Sequence, residues 1–109
     1  MDIQEFKEAI EVATGAALRF KDAEDGGTCN LDSPVIMLPD GIKARDTRDL
    51  KDAYGRPLIE KVGGGIWKGW YFVNVPLYGQ ANRRTKMAEA ASKSLEESGI
   101  RSSMYYQMD

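Results

Sequence analysis

The residues at 82–86 place positive charge at the predicted start of the longest helix. Of the four residues that follow Asn82, three are basic: Arg83, Arg84 and Lys86. The N-terminus of a helix carries a partial positive charge, so basic residues are unfavourable there unless an anion is bound. Free backbone amides and guanidinium groups at such a position suit a phosphate or a carboxylate. Alternatively, Asn82 caps a solvated first turn, and the arginines pair with acidic residues of the N-terminal half.

A second polar segment, residues 26–30, has the sequence Gly-Gly-Thr-Cys-Asn. Glycines let the backbone approach a ligand closely, and Thr28 and Asn30 offer neutral hydrogen-bonding groups. A glycine turn between two strands explains the same residues without a ligand. Cys29 is predicted to be packed rather than reactive, because the acidic residues around it disfavour a thiolate.

Aromatic residues are concentrated in residues 66–75, where Trp67 or Trp70 is expected to be exposed, and Trp70 is predicted to stack on a ligand. An aromatic face beside guanidinium groups suits a nucleobase, which stacks while its phosphate is held electrostatically. Core packing explains most of the other rings. The predicted ligand-binding residues are therefore Thr28, Asn30, Trp70, Asn82, Arg83 and Arg84.

The composition excludes most familiar enzyme chemistry. The chain has no histidine and a single cysteine, which removes the usual general base, the nucleophile–histidine pairs and zinc sites of the cysteine–histidine type. The acidic cluster Asp22, Glu24, Asp25 and Asp32 does not have the spacing of a calcium-binding EF-hand loop. We therefore expect a protein that is not an enzyme and that holds no metal ion and no cofactor.

Charge is distributed unevenly along the 109 residues, with a net value of −2. Residues 1–60 carry 13 acidic and 8 basic side chains, whereas residues 61–109 carry 4 and 7. A weakly acidic protein is a poor general nucleic-acid binder, because affinity for phosphate backbones needs a dense basic face. The sequence has neither an apolar run of membrane-spanning length nor a basic-then-apolar leader. We expect a cytoplasmic protein that has no contact with a membrane.

Hydrophobic periodicity predicts a single α+β domain over residues 1–109. Helix 2–14 carries an apolar stripe that Gly15 ends, and helix 82–98 ends at Gly99. A helix over 42–54 is supported by mixed charge, including Asp46 and Asp49. Strands are predicted over residues 16–21, 34–38, 58–62, 66–75 and 100–108. The predicted order is α-β-β-α-β-β-α-β, an antiparallel or mixed sheet of about five strands with helices packed on it.

The two strands at 58–62 and 66–75 are predicted to form a hairpin across the glycines at 63–65. The second of them is predicted to be central, because both of its faces carry large apolar groups. Trp67, Tyr71, Val73 and Val75 are assigned to one face. Ile66, Trp70 and Phe72 are assigned to the other.

Three stretches together resemble a family of small proteins from phages and prophages of Gram-positive and gut bacteria. They are residues 26–34, residues 68–73 with 79–85, and the ending Met104–Asp109. The resemblance brings no stated activity. The phage context implies counter-defence in the cytoplasm of a bacterial host, by sequestering a nucleotide immune signal or by blocking an effector such as a CRISPR nuclease.

These observations lead to one prediction of function and one alternative. The chain is predicted to be a non-catalytic binding protein, working as a homo-oligomer, that captures a small anionic ligand such as a nucleotide at a helix N-terminus. The alternative is a protein–protein inhibitor of a host defence enzyme that acts through an acidic surface drawn from residues 22–60.

Overall fold

The computed structural model describes residues 1–22, 32–77 and 81–106 of the chain. This part of the chain contains two α-helices and four short strands, together with two turns of 3-10 helix. In chain order they are α1 (Ile3–Leu18), β1 (Ser33–Ile36), a 3-10 turn at Ala44–Thr47, β2 (Ile59–Lys61), a 3-10 turn at Gly65–Trp67, β3 (Tyr71–Val73), α2 (Ala81–Glu97) and β4 (Ser102–Tyr105).

The strands pair antiparallel in the order β2-β3-β1-β4. β3 lies between β2 and β1, which confirms the predicted hairpin and the central position of its second strand. Register places Val35 opposite Phe72 and Ser103, and places Ile36 opposite Tyr71 and Ser102. The predicted α+β class, with helices packed on an antiparallel sheet, is confirmed.

Both helices lie on one face of this sheet. α2 packs on β1 and β4, and α1 packs against α2. The capping box that starts α1 is reciprocal, because the Asp2 carboxylate accepts from the Glu5 amide and the Glu5 carboxylate accepts from the Asp2 amide. The largest side chains of the core between helices and sheet include Phe6, Ile36, Val73, Met87, Leu95 and Ile100.

A buried pair of serines joins α2 to the sheet. The hydroxyls of Ser92 on α2 and Ser102 on β4 are 2.7 Å apart, and the Ser102 hydroxyl also donates to the carbonyl of Val35 at 3.1 Å. Buried hydroxyls need such partners, because an unpaired one costs about 1–3 kcal/mol. The pair therefore fixes the position of α2 relative to β4 and β1.

The opposite face of the sheet carries aromatic rings. Phe72 and Tyr105 meet edge to face at 5.3 Å, and Trp67 contacts both Tyr105 and Trp70. This arrangement confirms the assigned faces of Tyr71, Val73 and Phe72. The assignment of Trp67 to the same face as Tyr71 and Val73 was wrong, because Trp67 lies in the 3-10 turn and packs against Tyr105 on the outer face.

The predicted strand at 16–21 is not formed. α1 continues through Gly15 to Leu18, because Ala13 and Ala17 extend the buried stripe of the helix by a further turn. The apparent alternation of Leu18 and Phe20 misled the prediction. Phe20 lies in the turn that follows the helix and is 40% exposed.

Two other predicted elements are shorter than expected. The helix over 42–54 is replaced by the 3-10 turn at Ala44–Thr47 and by a turn in which the Asp52 carboxylate accepts from the following amides, in competition with helix formation. The strand over 66–75 pairs only at Tyr71–Val73, since Gly65 and Gly69 adopt positive φ and turn the chain. The described sheet therefore has four strands rather than about five, and the element order differs accordingly.

Candidate functional site

The first turn of α2 lies beside the end of α1. The Arg83 guanidinium donates to the carbonyl of Lys21, in the turn just beyond α1, at 3.0 Å. Carbonyls at the end of a helix lack partners within the helix and carry partial negative charge, so a cation is favourable there. Arg83 thus ties the end of one helix to the start of the other.

Arg84 and Thr85 bind the chain where it enters β1. The Nε of Arg84 donates to the carbonyl of Asp32 at 3.1 Å, and the Thr85 hydroxyl donates to the Asp32 carboxylate at 2.7 Å. Asp32 is 2% exposed. The start of α2 therefore binds an acidic residue of the N-terminal half, with Arg84 on the backbone carbonyl of Asp32 and Thr85 on its carboxylate.

Arg84 is half-buried and keeps donors beyond these contacts. A second nitrogen of its guanidinium is 3.4 Å from the hydroxyl of Ser33, and the group carries more N–H donors than these bonds use. Burial lowers the pKa of Arg84 from its ordinary value, whereas the charge of Asp32 opposes that change. An arginine remains protonated despite such a shift, so the guanidinium is a partly desolvated cation.

Arg84 lines a groove of about 600 Å³, which we call the Arg84 groove. A volume of this size falls within the ~300–1,000 Å³ typical of small-molecule sites. The far wall is the loop at residues 52–57, and the floor includes residues 74–77, which follow β3. The polar residues of the groove are Ser33, Asp52, Tyr54, Arg56, Glu60, Asn74 and Arg84.

The loop that forms the far wall is organised by one carboxylate. Asp52 accepts hydrogen bonds from the amides of Tyr54 and Arg56 at 2.8 and 2.9 Å, and its other oxygen accepts from the Arg56 side chain at 3.0 Å. These bonds, led by that from the Arg56 amide, lower the pKa of Asp52 from its ordinary value. Gly55 supplies the positive φ that closes the turn.

Tyr54 and Arg56 leave this loop as an exposed pair. The Arg56 guanidinium lies 5.5 Å from the centre of the Tyr54 ring, and Tyr54 is 84% exposed. The Asn74 amide donates to the Glu60 carboxylate and to the carbonyl of Pro57, which anchors the loop to the sheet. The groove thus combines two guanidinium groups, an aromatic ring and carboxylates that already have protein donors.

The structure brings together only some of the residues predicted to bind a ligand. Arg83 and Arg84 lie on the same turn, but Arg83 is directed to the end of α1. Asn82 is exposed on that turn. Thr28 and Asn30 lie outside the described residues, as does Cys29; the described chain resumes at Asp32, against the first turn of α2.

Trp70 lies at the other end of the sheet from Arg84. It precedes Tyr71, which pairs with Ile36, whereas Arg84 contacts Ser33 at the start of β1. This separation along β1 is about 13 Å at the usual rise of a strand. One face of the Trp70 ring is also covered by the protein itself, because the Arg101 guanidinium carbon lies 5.5 Å from the centre of the ring.

The sequence prediction missed Tyr54 and Arg56 as ligand-facing residues. The segment Gly55-Arg56-Pro57, which follows the helix predicted over 42–54, was given no role in ligand binding. The sequence did contain a signal for this turn. Asp52 precedes Tyr54 by two residues and Arg56 by four, and an aspartate at the start of a turn commonly accepts from the following amides.

The alternative hypothesis uses an acidic surface drawn from residues 22–60, and around Asp46 and Asp49 this surface carries charges of both signs. Asp46 and Asp49 are exposed, but the Asp46 carboxylate accepts from the Lys43 amide at 2.8 Å. Arg45 and Arg48, also exposed, alternate with these acids along the segment.

Neither helix in the described ranges is both long enough and apolar enough to cross a membrane. Compared with protein-family models, with curated proteins and with solved structures, the chain matches none.

Proposed function

We propose that this protein is a non-catalytic binding protein that captures a nucleotide-like ligand in the Arg84 groove. The observation that carries the proposal is the half-buried Arg84, whose guanidinium lines the groove with donors to spare. A partly desolvated guanidinium binds phosphate more strongly than a fully hydrated one, because competition from water is reduced.

The remaining groups of the groove favour a nucleotide over a bare phosphate. Tyr54 offers an exposed ring on which a base stacks. Glu60 and Asp52 offer acceptors for the hydroxyls of a ribose or the amino group of a base. A bare phosphate uses none of these and is repelled by both carboxylates, so the ligand must bring donors together with its negative charge.

Calorimetric titration tests this proposal. The panel comprises linear and cyclic nucleotides, the matching nucleosides and inorganic phosphate. We expect a nucleotide to bind more tightly than its nucleoside or phosphate alone. Arg84→Gln should weaken that binding about 10- to 100-fold, the loss of a charged hydrogen bond of about 1.5–3 kcal/mol. Arg45→Gln, which removes an exposed arginine outside the groove, is the matched control.

A second variant separates binding from folding, because Arg84 also holds the Asp32 segment. Tyr54→Ala removes a side chain that is 84% exposed, so it should leave the free energy of unfolding nearly unchanged while weakening nucleotide binding. The proposal fails if no member of the panel binds, or if neither variant differs from Arg45→Gln.

Variants of the other predicted binding residues are tested by the same calorimetric titration. Thr28→Ala and Asn30→Ala are expected to weaken binding if residues 26–30 contribute to the ligand site, as predicted from their composition. Trp70 does not line the Arg84 groove, so the stacking role passes in this proposal to Tyr54.

The counter-defence role stays a prediction from the resemblance, as does action within a bacterial host. The alternative of a protein–protein inhibitor also stays a prediction. Its test is the capture of one host protein by the wild type, lost on reversing the charges of Asp46 and Asp49.

A further inference from the structure

Of the two carboxylates that line the Arg84 groove among the described residues, Glu60 keeps more capacity to accept hydrogen bonds. One of its oxygens accepts from the Asn74 amide, and an ionised carboxylate has about four lone-pair sites. Both oxygens of Asp52 already accept from the protein, one from two backbone amides and the other from the Arg56 guanidinium. Glu60 is exposed and lines the groove. It is therefore the carboxylate better able to accept from a ligand.

Asn74 holds the Glu60 carboxylate in position. The side-chain amide of Asn74 donates both to Glu60 and to the carbonyl of Pro57. These two bonds use both hydrogens of the amide, and they tie Glu60 on β2 to the 52–57 loop. A side chain that is already held loses less conformational entropy when a ligand binds. The Glu60 carboxylate is thus prepared to accept from a ligand in the groove.

Glu60 and the Arg84 guanidinium are separated across the sheet. Register places Glu60 opposite Phe72 and Phe72 opposite Val35. The Arg84 guanidinium contacts Ser33, two residues before Val35. With strands ~4.8 Å apart and a rise of ~3.3 Å per residue, the backbones of Ser33 and Glu60 are about 12 Å apart. A ligand that contacts both side chains therefore needs a spacer between its phosphate and its donors, which a ribose and a base supply.

Guanine is the nucleobase whose edge is complementary to a carboxylate. It presents two adjacent donors, the ring N1–H and the exocyclic N2 amino group, and the two oxygens of a carboxylate accept from them side by side. Adenine and cytosine each place an acceptor nitrogen next to their amino group, and uracil has one N–H between two carbonyls. A carboxylate therefore gains one hydrogen bond at most from these bases and also faces a lone pair.

We propose that the ligand of the Arg84 groove is a guanine nucleotide, with its phosphate at Arg84 and the N1–H and N2 amino edge of its base on the Glu60 carboxylate. This inference rests on the proposed function, which names a nucleotide but not its base. Stacking on Tyr54 does not select a base, because every base has a π-face. The selection of guanine therefore depends on Glu60.

Calorimetric titration with the 5′-monophosphates of guanosine, inosine and adenosine tests this selection. The three ligands share the ribose and the phosphate and differ only in the purine edge. The wild type should bind guanosine monophosphate about 10- to 100-fold more tightly than adenosine monophosphate, because a charged hydrogen bond is lost with adenine. Inosine monophosphate should lie between them, since hypoxanthine keeps the N1–H donor and lacks the amino group.

Glu60→Gln is the variant that tests the carboxylate. Its amide oxygen can still accept from Asn74, whereas its amide hydrogens face the donors of guanine. The ratio of guanosine to adenosine monophosphate affinity should fall about tenfold or more. Loss of one negative charge affects both nucleotides alike and cancels in this ratio. Glu96→Gln, the same substitution at an exposed residue outside the groove, is the matched control and should keep the ratio of the wild type.

Arg84→Gln separates this inference from the proposed function. It should weaken both nucleotides by the same factor, because it acts on the phosphate that they share. The inference is overturned if the wild type binds the guanosine and adenosine nucleotides equally, or if Glu60→Gln keeps the ratio of the wild type. Binding that still depends on Arg84 would then leave the proposed function standing. If no nucleotide binds, both are overturned.

Discussion

Two adjacent arginines on α2 serve different purposes. Arg83 donates to the carbonyl of Lys21 beyond α1, whereas Arg84 holds the backbone at Asp32 and lines the groove. Adjacent positions on a helix point about 100° apart, so one turn can serve both a helix end and a groove. The positive charge that is unfavourable at a helix N-terminus is therefore explained partly by the protein itself.

This division predicts opposite results for the two residues. Arg83→Gln should lower the free energy of unfolding by about 1 kcal/mol, because a charged donor is removed from the Lys21 carbonyl in the turn beyond α1. Nucleotide affinity should remain that of the wild type. Urea unfolding and calorimetric titration of the same sample check both parts. A loss of affinity comparable to that of Arg84→Gln would show that Arg83 also contacts the ligand.

At the scale of elements, the 52–57 loop depends on a single carboxylate. Asp52 accepts from two amides and one guanidinium, and these bonds orient Tyr54 and Arg56 toward the groove. The helix predicted over 42–54 is incompatible with these hydrogen bonds, which form in a turn. Local hydrogen bonds from an aspartate compete with helix formation, which is the physical reason that the segment turns instead.

The lowered pKa of Asp52 predicts how this loop responds to acid. A carboxyl whose pKa is lower in the folded state stabilises the fold above its unfolded pKa, which is ordinarily about 3.9. That contribution is lost as the pH falls from there through the folded pKa. The stability advantage of the wild type over Asp52→Asn should therefore be constant near neutrality and shrink below about pH 4.

Denaturant unfolding of both proteins across that pH range measures the difference. An advantage of the wild type that stays constant down to the lowest pH would contradict the assigned role of the carboxylate.

At the scale of the whole molecule, the sequence was sufficient for the fold class and for most of the element positions. The stripe of apolar residues predicted both helices, and the glycines at 63–65 predicted the hairpin. The errors arose where a short pattern fits both a strand and a helix. Alternation of Leu18 and Phe20 predicted a strand, but packing of Ala17 in the core extends the helix. The contact of Asp32 with Thr85 spans 53 residues, and no local pattern encodes such a pairing.

The candidate site was predictable only in part for the same reason. Arg84 was identified because its charge conflicts with its position on the helix. Tyr54 and Arg56 were not, because the groove exists only after the loop has folded against the end of β3. Trp70 was assigned by residue type, and the register of β1 with β3 places it away from Arg84.

Nuclear magnetic resonance of the arginine Nε–H groups during titration with a nucleoside monophosphate decides whether phosphate binds at Arg84. Saturable shifts are expected at Arg84 and Arg56, with Arg45 and Arg48 unmoved. Shifts at none of these groups, or equal shifts at all four, would contradict a phosphate site in the Arg84 groove.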